Sequence, residues 1–116
     1  MAIVGVDAEG RIRMWNDAAT VMFGHHETEV IGEPVDLLVP DDLRERHWEG
    51  FRRVMAGGER HLEGASVNLP VRLADDSVAA FPARFNHVYD AFGNVVAAVA
   101  TFGQRRGSEE PWTRVE

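Results

Sequence analysis

The stretch that decides the fold runs from residue 3 to residue 40 and reads "IVGVDAEGRIRMWNDAATVMFGHHETEVIGEPVDLLVP". It opens with a short apolar run that ends in "DAEG", a pattern typical of a strand followed by a tight turn. The next residues alternate, with Ile12 and Met14 on one side and Arg11 and Arg13 on the other. These patterns predict two β-strands joined as a hairpin.

Short helices are predicted after the hairpin. Asn16 or Asp17 is suited to cap a first helix, and Gly24 is suited to end it. Thr28 begins a second capping signal, which the breaker sequence "GEP" at residues 32–34 interrupts. The closing "DLLVP" predicts one further helical turn.

The next stretch, "DDLRERHWEGFRRVM" at residues 41–55, predicts a longer helix. Its two leading aspartates place negative charge at the positive end of the helix dipole. Steps of four, four and three residues put four side chains on one helix face: Leu43, His47, Phe51 and Val54. The other members of this face are apolar, so the pattern predicts that His47 points inward.

Three strands are predicted over the rest of the chain, at about residues 61–73, 78–89 and 95–103. Residues 104–116 are a polar tail that we expect to be poorly ordered, apart from Trp112. This order of elements indicates an α+β fold, with an antiparallel sheet and short helices packed on one of its faces. Residues 1–103 are predicted to form a single domain.

The composition narrows the range of functions. The chain has 116 residues, a formal net charge of −7 and no cysteine. Nucleic-acid binding and adhesion to an anionic membrane both need positive charge, so neither is expected. The lack of cysteine excludes disulfides and thiol nucleophiles, and it fits a cytoplasmic location. No signal peptide, membrane-spanning segment or enzyme motif is evident, so we expect no catalytic activity.

Two histidines are candidate ligand-binding residues. A neutral imidazole binds haem iron or zinc, but a histidine on an apolar helix face is also commonly a core residue with a backbone hydrogen bond. Both interpretations of His47 stay open on the residue pattern alone. Alternation along "FPARFNHVY" places His87 on the strand face of Phe85, towards the helices. There it either lines a ligand site or pairs with Tyr89 at the strand end.

Several motifs together resemble the PAS sensor family. They are the hairpin "DAEGRI", then "WNDAA", "FGHHETEVIGEPV" and "LVP", followed by "RLADDSVAAFPARFN" and "DAFGNVVAAVATF". The resemblance spans residues 2–103 and implies a five-stranded antiparallel sheet cupped by helices. Because PAS domains bind many ligands or none, it implies sensing without naming the ligand.

The stretch "RERHWEGFRRVMAGGERHLEG", residues 44–64, resembles the matching part of FixL-type oxygen-sensing haem PAS domains. That resemblance implies His47 as the iron ligand, with Arg53 and His61 at matching positions. It also implies a cofactor cavity around His47 whose lining includes Leu43, Phe51, Val54, Leu62, Val67, Phe85 and His87. One departure concerns Val67, which stands where the oxygen sensors carry an arginine that bonds oxygen.

Two functional hypotheses follow. The first is a sensory domain that binds a small ligand, with haem as the named candidate and His47 as the metal ligand, between the longer helix and the sheet. Its downstream effector is not identified by the sequence. The second is a PAS interaction module without a cofactor, which forms a homodimer through the outer face of the sheet.

Overall fold

The computed structural model describes residues 1–57 and 66–115. Within these residues, two strands, a series of short helices, a longer helix and three further strands follow one another as the sequence predicts. In chain order they are β1 (Ala2–Asp7), β2 (Ile12–Trp15), α1 (Asp17–Phe23), α2 (Glu27–Val30), two 3-10 turns (Val35–Leu38 and Asp41–Leu43), α3 (Arg44–Met55), β3 (Ser66–Arg72), β4 (Val78–Tyr89) and β5 (Val95–Phe102).

The strands form one antiparallel sheet in the order β2-β1-β5-β4-β3, with the helices packed on its inner face. The predicted α+β fold class is therefore confirmed. Residues 61–65, the predicted start of the third strand, lie outside the described residues, and β3 begins at Ser66. No helix in the described part of the chain is both long and apolar enough to cross a membrane.

The two helix caps in the first half differ in how well the sequence predicts them. Asn16 caps α1 as expected, because its side-chain Oδ1 accepts a hydrogen bond from the Ala19 N–H at 3.0 Å. The cap of α2 is His26 rather than Thr28. Its Nδ1 faces the Thr28 N–H, and the Glu29 carboxylate accepts from the His26 N–H at 3.0 Å. An imidazole nitrogen here takes the place of the hydroxyl or carboxylate usual at this position.

The core is densest where α1 meets the sheet. Phe23 is 1% exposed, and its ring meets Phe81 and Phe102 edge-on at centroid distances of 5.3 and 5.0 Å. Helix α3 packs differently, since none of its residues is fully buried. The sheet is thus tightly covered at the α1 end and less completely covered beneath α3.

Helix α3 is fixed to the first hairpin through Trp48. The hairpin turn contains Gly10, whose φ of +82° suits glycine. A Cβ added there would clash with the end of the Trp48 indole, so the ring rests directly on the turn. Phe51 meets the same indole edge-on at 5.5 Å, and its ring would lie 3.6 Å from the same added Cβ, so both rings pack at the turn. This contact sets the position of α3 over the sheet.

Replacing Gly10 with alanine is expected to lower the free energy of unfolding by about 2–5 kcal/mol. Positive φ costs alanine about 1–2 kcal/mol, and displacing a packed ring costs about 1–3 kcal/mol more. The control is Gly93→Ala, at a φ of +85° with no atom within 4 Å of the added Cβ, which should lose only about 1–2 kcal/mol. Urea unfolding measures both variants. Equal losses would show that Trp48 does not pack on the turn.

Candidate functional site

A cavity of about 350 Å³ lies between α3 and the inner face of the sheet. Its volume is in the range of small-molecule sites, about 300–1,000 Å³. The sheet wall is apolar apart from one histidine, and comes from β1, β3, β4 and β5. The opposite wall comes from α3 and from the chain just before it. The α3 residues on this wall are Arg46, His47, Gly50, Phe51, Arg53, Val54 and Met55.

The structure brings most of the predicted site residues together. Six of them line the cavity: Leu43, His47, Phe51, Val54, Phe85 and His87. Leu62, like His61, lies outside the described residues. Val67 is buried opposite Ala83 and is not among the described residues that line the cavity. The β3 positions on the wall include Leu69 and Val71, which the sequence reasoning did not single out.

The tail also reaches the cavity, through Trp112. The Trp112 N–H donates to the Asn68 carbonyl at 2.7 Å, and the Asn68 N–H donates to the Thr113 carbonyl at 2.8 Å. The tail therefore runs along the outer edge of β3. In the sequence, the one indication of this contact is Trp112, a single tryptophan in an otherwise polar segment. That the tail is poorly ordered stays a prediction.

His47 has an unsatisfied nitrogen. Its Nδ1 is buried and has no hydrogen-bond partner within the described residues. The ring stacks on Phe51 with centroids 6.2 Å apart and an interplanar angle of 23°, and it meets Trp48 edge-on at 5.3 Å. One interpretation of His47 is a core histidine with a backbone hydrogen bond. The structure shows no such bond at Nδ1 within the described residues. An unpaired buried nitrogen of this kind is costly, which calls for a functional explanation.

Burial lowers the pKa of His47 below its usual value, because the charged imidazolium loses water. The nearby Asp36 carboxylate acts in the opposite direction and offsets part of this effect. The imidazole is therefore neutral at neutral pH. Neutral imidazole is the form that binds a metal ion.

The lowered pKa predicts how stability depends on pH in the ligand-free protein. As pH falls below about 6.5, the unfolded chain takes up a proton at His47 that the folded protein resists, so the folded state loses stability. We expect the free energy of unfolding to fall more on acidification from about pH 7.5 to about pH 5.5 in the wild type than in His47→Gln. Urea unfolding at the two pH values measures this, and carboxylate contributions cancel in the comparison. Parallel losses would contradict it.

Two further features of the α3 wall bear on what the cavity holds. A Cβ added at Gly50 would meet no atom within 4 Å, so there is open space one turn after His47. Arg46 and Arg53 also line the cavity, so two cationic residues border an otherwise largely apolar space. Arg53 bonds the Glu49 carboxylate at 3.2 Å, and its side chain is 52% exposed. This arrangement suits a flat apolar ligand with an anionic edge.

The described residues contain no cluster of three or more histidine, cysteine or carboxylate side chains able to hold a metal ion. A zinc site built from protein ligands alone needs three or four such groups. Haem iron needs fewer, since the protein supplies only axial ligands. The donor set around His47 therefore fits haem better than a bare metal ion.

A family model for the PAS fold matches residues 1–104. The chain belongs to the PAS family. PAS domains are sensory or interaction modules, and this domain shares that general role. Among solved structures, the PAS domain of a Colwellia psychrerythraea protein superposes with a TM-score of 0.70 at 23% identity, covering 90% of this chain and 85% of that one. A likeness at this identity supports the fold alone.

Two of its curated relatives are named as sensors. The chain is 35% identical over 77 residues to the oxygen sensor protein DosP of Escherichia coli, covering 66% of the chain and 10% of the relative. It is 33% identical over 63 residues to the sensor protein FixL of Bradyrhizobium diazoefficiens, covering 54% of the chain and 12% of the relative. The chain thus spans about a tenth of the length of the curated relatives it matches.

Proposed function

We propose that this PAS domain binds haem in the cavity beneath α3, with His47 as an axial ligand of the iron, and that the state of the haem is the signal it senses. The observation that carries the proposal is the buried Nδ1 of His47, which has no partner in the described residues, on the wall of an apolar cavity. A buried nitrogen without a partner lowers stability. Iron ligation would give this nitrogen a partner and so explain the imidazole at this position.

The remaining residues of the cavity fit the same group. Gly50 leaves room beside His47, and Ala98 and Ala100 are small side chains on the sheet wall. A planar ring system needs this space between helix and sheet. Arg46 and Arg53 are suited to pair with the carboxylate groups at the edge of haem.

Each part of the chain has a distinct task in this proposal. His47 binds the iron as a neutral imidazole, and Asp36 lies close enough to influence its charge. The apolar walls exclude water, and the arginines fix the orientation of the cofactor by its edge. When bound, haem supplies an iron centre that changes redox state and binds diatomic gases. A signal results only where the two states of the haem favour different packings of α3 against the sheet.

The relatives support this choice without deciding it. DosP and FixL are named as an oxygen sensor and a sensor, and the similarity to them extends over 77 and 63 residues of the chain. The experiment that tests the proposal is a titration of purified protein with haemin, followed by the Soret absorption band. We expect saturation at one haemin per chain. Flavin absorption in the purified protein, with no uptake of haemin, would refute the proposal.

Filling the space beside His47 should block haemin without harming the fold. Gly50→Leu places a branched side chain in the cavity and also removes a glycine from a helix interior, which by itself stabilises by about 0.5–1 kcal/mol. We expect at least about tenfold weaker haemin binding, or about 1.4 kcal/mol, with no loss of thermal stability. The matched control is Gly50→Ala, which should keep the affinity. Unchanged binding in Gly50→Leu would place the haemin elsewhere.

A second candidate function is an interaction module that dimerises through the outer face of the sheet. This face is apolar at its centre, where Met14 packs over Gly5 beside Val99. Met14 is 50% exposed and Val88, on the same face, is 44% exposed. Sedimentation should show a dimer that the double variant Met14→Glu/Val88→Glu converts to a monomer. A wild-type monomer at high concentration would remove this candidate, whether or not haemin binds.

A further inference from the structure

His87 lies on the wall of the cavity that faces α3. It belongs to the inner face of β4, where Phe85 and His87 pair with Ala100 and Ala98 of β5. All four residues line the same cavity as His47. The cavity therefore has one histidine on its helix wall and a second on its sheet wall.

The sheet wall around His87 is otherwise apolar. Across the β4–β5 pair lie the methyl side chains of Ala98 and Ala100. Phe85 and the His87 imidazole are therefore the large side chains on this part of the wall. On the helix wall, a Cβ added at Gly50 would meet no atom within 4 Å, so the helix also leaves open space near His47. A flat ligand between the two walls would therefore lie between a histidine of the helix and a histidine of the sheet.

We propose that His87 would be a second protein ligand of the haem iron, so that the histidine on the helix wall and the histidine on the sheet wall would hold the group together. This inference rests on the proposed function. A neutral imidazole is a good ligand for haem iron on either side, and the identity of the second ligand decides whether the iron keeps an open position. With two histidines bound, the iron has no open position in its resting state.

Two-histidine ligation changes the kind of signal that the domain detects. Hydrogen-bond donors beside the iron are one of the factors that decide whether a haem binds oxygen, and the β3 residues on the cavity wall, Leu69, Pro70 and Val71, have no side-chain donor. A site closed by His87 responds instead to the redox state of the iron, or to ligands strong enough to displace an imidazole. The signal class that the site favours is therefore redox change.

The test uses the whole chain loaded with haemin, and electron paramagnetic resonance of the ferric form. We expect a low-spin signal for the wild type and its loss, in favour of a high-spin signal, in His87→Leu at unchanged haemin stoichiometry. His26→Leu and His61→Leu should keep the low-spin signal. Should His87→Leu fail to fold, His87→Met retains a ligand, and it should stay low-spin with a raised reduction potential.

The possible outcomes distinguish the role of His87 from haem binding itself. A wild type that binds one haemin and is high-spin overturns the role of His87 and leaves the haem proposal standing. A low-spin signal that persists in His87→Leu, or that is lost in His61→Leu, assigns the second position to another residue. A chain that takes up no haemin overturns both the role of His87 and the proposed function.

Discussion

Replacing His47 with alanine is expected to lower the affinity of the domain for haemin by at least about 100-fold. Changes to residues that only support a metal ligand already cost about 10–100-fold in affinity, so loss of the ligand itself should cost more. Titrations of wild type and variant, followed at the Soret band, give the two affinities. The matched control is His26→Ala, which removes an exposed histidine outside the cavity and should leave haemin affinity unchanged.

Two companion measurements separate a ligand from a packing residue. Added imidazole should enter the space left in His47→Ala and restore the spectrum, which a packing role does not predict. His47→Leu should be at least as stable as the wild type, because it removes a buried polar atom whose lack of a partner costs about 1–3 kcal/mol. No recovery with imidazole, combined with a large loss of stability in His47→Leu, would make His47 a structural residue.

Replacing Phe23 with alanine lowers the free energy of unfolding by about 3–5 kcal/mol, a large part of the stability of a domain this size. Phe23 is 1% exposed and its ring contacts Phe81, Phe102 and Trp15, the last at a centroid distance of 5.9 Å. The loss combines the buried apolar surface, the void left behind and the edge-on ring contacts. Urea unfolding at neutral pH measures it.

The neighbouring Val21 offers a control on the same helix. It is 87% exposed, so Val21→Ala should change stability by no more than about 0.5 kcal/mol. A Phe23→Ala loss below about 1 kcal/mol would mean that the aromatic cluster at α1 is not the tight part of the core. The sheet would then not be more tightly covered at α1 than beneath α3, and that difference would no longer explain why the cavity lies under α3.

The fold was predictable because the local signals agree with one another. The turn "DAEG", the Asn16 cap and the Gly24 stop each specify the start or end of an element, and the structure has all three where expected. The inward face of α3 followed from helical periodicity alone, since His47 and Phe51 are one turn apart. Agreement at several levels is what makes such a prediction reliable.

The features that the sequence did not reveal depend on contacts between distant parts of the chain. Nothing local links Trp48 to the turn at Gly10, and the Asn68 side chain bonds Thr113, 45 residues away. The residues of β3 on the cavity wall depend on how the strand lies against its neighbours, which the residue pattern leaves open. Alternation along β3 does not distinguish Leu69, which lines the cavity, from Val67, which is not among the described residues on its wall.

The most direct test of the account is the position of the iron. In crystals of the haemin-loaded protein, the anomalous difference map at the iron absorption edge locates the metal independently of any fitted cofactor. The account predicts one peak per chain in the cavity beneath α3, at bonding distance from a ring nitrogen of His47. A peak at the exposed His26, or a cavity filled by side chains with no iron in it, would contradict the account.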